Sequence, residues 1–157
     1  MTSCEVCRIH DAAAPGYAQR FAPLEAWRGP RWIVRHHLHP APLVGWTFLC
    51  AARHVQGPAD FNDAEAAGFG RALRTASQAV RALTGCDRVY AIAFGQGAPH
   101  LHVHLIPRFD AHEPTRAWAV ADWYRAVERG EVPAADPAAV ADFVARLRAH
   151  FGTHPPE

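Results

Sequence analysis

Residues 100–108 read HLHVHLIPR, which puts His100, His102 and His104 at alternate positions with Leu101, Val103 and Leu105 between them. In an extended strand alternate side chains share a face, so the three imidazoles project together while the aliphatic residues turn into a core. Their Cα atoms are then roughly 6.6 Å apart, two rises of ~3.3 Å, a spacing that can line a phosphate-sized cleft. Imidazole ionises near pH ~6.5, so such a group can serve as a neutral nucleophile, an acid or a hydrogen-bond donor around neutrality. The same three groups could instead be ligands of a catalytic metal. Side chains on one strand face have nearly parallel Cβ vectors, however, and converge poorly on one ion.

Other chemistry-bearing residues surround this run. Cys4 and Cys7 have the C-x₂-C spacing of half a structural zinc site, which needs two more ligands. Cys50 lies in an apolar stretch and Cys86 at a helix end, and both read as small buried hydrophobes. Gly95, Gln96 and Gly97 precede the triad in a tight connection whose backbone amides could act as further donors. His36, His37 and His39 read as a polar surface near the cleft, since adjacent His36 and His37 face opposite ways on a strand. Arg108, at a strand end, reads as solvated or paired.

These residues need a frame. Residues 1–30 read as irregular, broken by Pro15, Gly16, Pro23, Gly29 and Pro30. Residues 31–39 alternate, with Trp32 and Val34 on one side and Ile33 and Arg35 on the other; residues 43–51 form a short apolar run; residues 87–94 read as a third strand. From Asn62 a capping residue stands three positions before Glu65, and Phe69, Leu73, Ala76, Val80 and Leu83 recur at helical spacing until Gly85. A helix opened by Asp136 and Pro137 and running to about His150 closes the chain, after a second helical stretch at residues 117–130. The pattern predicts an α+β fold: about five mostly antiparallel strands with one long helix packed on them, residues 1–108 as the core and residues 109–157 as a helical C-terminal extension of the same domain.

Composition limits the function classes. The 157 residues carry a formal net charge of +1, so a nucleic-acid polymer is not the expected partner and any phosphate chemistry must be local. Nothing approaches the ~18 apolar residues of a membrane span, and the first ten residues lack a basic segment followed by an apolar one, which reads as a cytoplasmic protein without a membrane partner. Eleven histidines are the outlier.

The run HLHVHLIPR resembles the His-φ-His-φ-His-φ-φ signature of the histidine triad family. GWTFLCAARHV at residues 45–55 is similar to that family's strand ending in a basic-His-apolar step, and FGQGAPH at residues 94–100 sits where a Gly/Gln phosphate loop is expected. The likeness covers residues 4–108, with Gly97 standing where several members carry a hydroxyl residue. The resemblance implies a nucleotide hydrolase or nucleotidyl transferase acting on a dinucleoside polyphosphate or nucleotide conjugate. His102 would attack the α-phosphorus to form a nucleotidyl-histidine, His104 would steady the phosphoryl oxygens, and Gln96 would contact the bridging or leaving oxygen. In zinc-bearing members, as in related uridylyltransferases, the ligands that complete the Cys pair map to His54 and His100, which implies a structural zinc on Cys4, Cys7, His54 and His100. Members commonly pair as homodimers, with Trp118 and Trp123 available here as anchors. The alternatives are a nucleotide-binding regulator without turnover, and a metal-dependent hydrolase using the triad as ligands.

Overall fold

The computed structural model describes residues 4–95 and 97–156. Five strands, β1 (Glu25–Arg28), β2 (Trp32–His36), β3 (Thr47–Ala51), β4 (Arg88–Ile92) and β5 (His102–Arg108), form one sheet in the order β1-β2-β3-β5-β4, every neighbouring pair antiparallel. Register sets what meets the triad. Cys50 stands opposite His102 and Phe48 opposite His104, while Arg35 stands opposite Phe48 one strand further on.

Alternation divides the sheet into two faces. One carries Trp32, Val34, Leu49, Ala51, Val103 and Leu105, all buried in the main core. The other carries Ile33, Arg35, Phe48, Cys50, His102, His104 and Ile106. The apolar face is covered by α3 (Asp63–Thr84) and α5 (Pro137–Thr153), with α5 contributing Val140, Phe143, Val144, Leu147 and Phe151. The C-terminal segment therefore packs on the same core as the triad strand.

α3 starts where its signals predict. The Asn62 side chain accepts from the Glu65 amide at 3.0 Å and Glu65 accepts from the Asn62 amide at 2.9 Å, and Gly85 ends the helix in the left-handed region at φ 69°. The most deeply buried positions of α3 are Ala72, Ala76, Ala79 and Val80, with Phe69, Leu73 and Leu83 at the margins of the core. Small side chains let the helix lie close to the sheet, and the bulk is supplied by Trp32 and Phe143.

The amino-terminal expectation is corrected. Residues read as irregular contain α1 (Glu5–His10), α2 (Tyr17–Arg20) and the edge strand β1. β1 has little hydrophobic pattern and is held from outside: the Arg148 guanidinium on α5 donates to the carbonyls of Ala22, Pro23 and Glu25 at 2.6–3.1 Å. The apolar run at residues 43–51 is also shorter as a strand than it reads. Gly45 adopts φ 88°, and a Cβ there would collide with Thr84 of α3, so the chain turns before β3 begins at Thr47. A further helix, α4 (Val120–Glu128), lies between β5 and α5 and packs Val120 with Trp46 and Ile106. Among the described residues no helix is long and apolar enough to cross a membrane.

Candidate functional site

The imidazole-bearing face is occupied differently at its two ends. Just before β5, His100 is 1% exposed and turns toward α1 and the segment after β3. Its Nδ1 lies 3.7 Å from Cys4 Sγ and 3.4 Å from Cys7 Sγ, and Cys7 Sγ lies 3.5 Å from His54 Nδ1. The four candidate donor atoms all fall within 4.8 Å of one another. A tetrahedral ion with ~2.3 Å bonds to sulfur and ~2.0–2.1 Å bonds to nitrogen separates its S and N donors by about 3.6 Å, so the spacing fits a structural zinc. His100 Nε2 donates to the Ala51 carbonyl at 2.8 Å, which leaves the Nδ1 lone pair facing the sulfurs. Among the described residues this is the group of side chains gathered for a metal, and it excludes His102 and His104. The donor atoms of the three histidines are thus not gathered around one point among the described residues.

His102 and His104 instead floor a cleft of about 410 Å³, within the range of small-molecule sites. His102 is half-buried, and its Nδ1 donates to the His100 carbonyl at 2.7 Å, so its Nε2 lone pair is left for the cleft. Burial, reinforced by the charge of Arg35, holds this imidazole below its ordinary pKa and therefore neutral at pH 7. His104 is 8% exposed and is boxed by Phe48 and Phe94, whose ring centres lie 4.5 and 4.9 Å away. Burial, then the neighbouring His102, His37 and Arg35, push its pKa down to about 3. The Trp46 indole N–H reaches its Nδ1 at 3.1 Å.

The remaining lining comes from two connections. Gly95, Gly97 and Ala98 line one side, Gly95 at φ 66°, so both predicted phosphate-loop glycines reach the cleft; Gln96 lies outside the described residues. α4 adds Ala121, Tyr124 and Arg125 to the lining. The Tyr124 hydroxyl donates to Glu128 at 2.5 Å and burial raises its pKa, while Arg125 pairs with Asp122 one turn earlier. The helical stretch containing Tyr124 and Arg125 is visible in the sequence, but nothing in it shows that the helix walls the cleft. Phe48, Phe94 and Trp46 were likewise hidden in apolar runs.

The histidines of residues 36–39 need correction. His36 is fully buried and His37 is 8% exposed; only His39 is a surface residue. Nε2 of His36 accepts from the Gly45 amide and Nδ1 donates to the His37 carbonyl, each at 3.0 Å, so its neutral form is built into the turn before β3. His37 packs its ring among Trp46, Phe48 and Tyr124, beside the cleft wall. Arg108 is also buried, donating to Thr115 at 3.1 Å and pairing with Asp110 at 3.3 Å. Cys50 and Cys86 are buried, as their contexts indicated.

No protein-family model and no curated protein sequence matches the chain. Solved structures do. A histidine triad protein from Bradyrhizobium japonicum shares 26% identity, with a TM-score of 0.61 over 81% of this chain and 89% of that one. A zinc-bound histidine triad family protein from Mycobacterium smegmatis is 17% identical, with a TM-score of 0.66 over 97% and 95%. The chain has the histidine triad fold. A hypothetical histidine triad nucleotide-binding protein from Sulfolobus tokodaii, 12% identical, aligns at a TM-score of 0.60 over 82% of this chain and 83% of that one. On this histidine triad sheet the three signature residues play unequal parts. His100 is withdrawn into a Cys/His cluster, and His102 and His104 remain at the cleft with their rings 5.3 Å apart.

Proposed function

We propose that the chain is a nucleotide hydrolase or nucleotidyl transferase that works through a covalent nucleotidyl-histidine on His102. One observation carries the reading: the Nδ1–H···O bond from His102 to the His100 carbonyl directs a neutral Nε2 lone pair into a cleft of nucleotide size, beside a second imidazole on the same face. In the first step the Nε2 pair forms a bond to the α-phosphorus as the bond from phosphorus to the leaving group breaks, the leaving group departing with that electron pair. In the second, water or another acceptor attacks the same phosphorus, the P–N bond breaks with its electron pair returning to His102 Nε2, and the acceptor's proton passes to solvent. His104 and the amides of Gly95 and Gly97, which line the cleft, are proposed to meet the phosphoryl oxygens, whose charge grows in both transition states. Gln96 is proposed to meet the bridging oxygen.

Cys4, Cys7, His54 and His100 are proposed to hold zinc as a Cys₂His₂ set, the donor type of structural rather than catalytic sites. Held by these residues, a zinc ion would supply a structural cross-link between α1, the segment after β3 and the base of β5. His100 would then be fixed as a ligand while its backbone carbonyl orients His102. The name of the zinc-bound Mycobacterium smegmatis protein supports this assignment, as that of the nucleotide-binding Sulfolobus tokodaii protein supports the ligand class.

Intact-mass measurement after brief incubation with a dinucleoside polyphosphate, an adenosine phosphoramidate and a nucleotide sugar tests the reading. Wild type should gain one nucleotidyl group and release product, and His102→Gly should gain none. An adduct on the His102→Gly protein, or binding with neither adduct nor product, would overturn it in favour of another nucleophile or of a regulator without turnover.

A further inference from the structure

The single polar atom of an indole ring is an N–H that donates and never accepts. Trp46, 1% exposed, places that donor 3.1 Å from Nδ1 of His104, itself 8% exposed. Nδ1 therefore carries the lone pair of this bond and the ring proton sits on Nε2. Rotation of the ring out of this state is opposed on three sides, because His104 packs edge-on against Phe48 and Phe94 as well as Trp46. Adding a second proton at Nδ1 would set N–H against N–H in a buried place. The groups facing the ring add to that penalty and none offsets it: His102 from its own strand, Arg35 from β2 and His37 from the connection beyond it are basic, while α4 brings Tyr124 and Arg125 to the cleft and no carboxylate lines it among the described residues. His104 thus has one polar group to offer the cleft, a neutral Nε2–H.

We infer that Trp46 is a positioning residue that locks His104 as a neutral Nε2–H donor, so that His104 binds phosphoryl oxygen without delivering a proton to the leaving group. The inference rests on the proposed phosphoryl chemistry and narrows its substrate class. A leaving group that departs as a stable phosphate anion needs no proton from His104, whereas an amine does. Dinucleoside polyphosphates are then the favoured class over phosphoramidates. His102 shows the contrast within one strand: its Nδ1 meets a carbonyl, which accepts, and the proton and lone pair exchange places.

The test reads the tautomer directly and without substrate. In the zinc-loaded protein with ¹⁵N-labelled histidine, long-range ¹H–¹⁵N correlation should show His104 unprotonated at Nδ1 and protonated at Nε2 from pH 8 to pH 5. Replacing Trp46 with the isosteric benzothienylalanine, which exchanges the N–H for sulfur and keeps the ring volume, should give mixed His104 tautomers, with Trp46→Phe as the coarser companion. Hydrolysis of diadenosine tetraphosphate by the isostere should fall about tenfold in kcat, the weight of one hydrogen bond, with KM little changed. A wild-type signal protonated at Nδ1, or a tautomer unmoved in the isostere, would overturn the inference. Absence of nucleotide cleavage by wild type would sink the proposed function instead, leaving the tautomer of His104 to decide this point alone.

Discussion

His100 and His104 are four residues apart in one run, 1% and 8% exposed, and both held toward the neutral form, yet they serve opposite ends of the imidazole-bearing face. His100 gives its Nε2 proton to a strand carbonyl and turns a lone pair on two sulfurs. His104 receives an indole proton at Nδ1 and turns an N–H on the cleft. The difference teaches that on this strand an imidazole's chemistry is set by the one partner that meets its second nitrogen. Neither spacing nor burial sets it. His102 stands between them and borrows from the first end, since the carbonyl that orients it belongs to His100.

The largest expected effect separates these ends by what each substitution damages. His102→Gly should reduce nucleotide turnover by about a thousandfold or more and leave the melting temperature within ~2 °C, because it removes a half-buried group that bonds one carbonyl. Cys7→Ser should do the reverse in kind: metal content falls, and stability drops by on the order of 3 kcal/mol, which for a chain of this size lowers Tm by roughly 6–12 °C. Paired metal analysis and thermal melts check both. If Cys7→Ser melts no earlier than His102→Gly, the contrast between a structural end and a reactive end collapses.

A second test asks how far neutrality is imposed by the fold. His36 and His37 are pushed down to about 4 and His10 and His104 to about 3, with burial as the leading cause in each. For His36 the cause is visible: Nε2 accepts the Gly45 amide, and a proton there would break the turn. An unfolded histidine titrates near ~6.5, so between that pH and about 4 the unfolded chain binds more protons than the native one. Stability is therefore intact above ~6.5 and lost as pH falls through about 4, His36 alone accounting for about 3 kcal/mol across that window. Urea midpoints of the zinc-saturated protein should fall from pH 7.5 to pH 5. His36→Gln should start lower at pH 7.5 and show a slope shallower by about one proton; an unchanged slope would mean that His36 is not the sensor.

The same partner logic explains what could be read from the sequence. β5 and α3 were legible because their signals are local: strict alternation in HLHVHL, and the Asn62–Glu65 box with Gly85 at the other end. The candidate zinc ligands and triad positions were legible as a resemblance, and the structure brings Cys4, Cys7, His54 and His100 together. β1 was not legible, since its four residues depend on Arg148, which lies more than 120 residues away in the chain. Nor were the buried places of His36 and His37, which follow from the sharp turn at Gly45 and from rings supplied by β3 and α4. A histidine's neighbours decide whether it is surface, ligand or donor, and those neighbours are distant in sequence.

Arg125 offers the smallest and most discriminating effect, because it asks whether α4 merely closes the cleft or also recognises what enters it. The side chain lines the cleft, but it is exposed and its charge is already matched by Asp122 one helical turn away. Exposed pairs contribute little and are screened by salt. Arg125→Ala should accordingly raise KM for a dinucleoside polyphosphate about two- to fivefold at low ionic strength, leave kcat unchanged, and lose most of that difference in 0.5 M salt, where the Debye length is below ~5 Å. A fall in kcat that salt does not relieve would place Arg125 at the reacting phosphate, and the reactive end would then extend from β5 onto a helix of the C-terminal segment. A KM unmoved at any salt would confine recognition to the strand and the glycine connection. The size of the Arg125 effect relative to that of Trp46 therefore measures how much of the site lies outside the triad strand and its immediate partners.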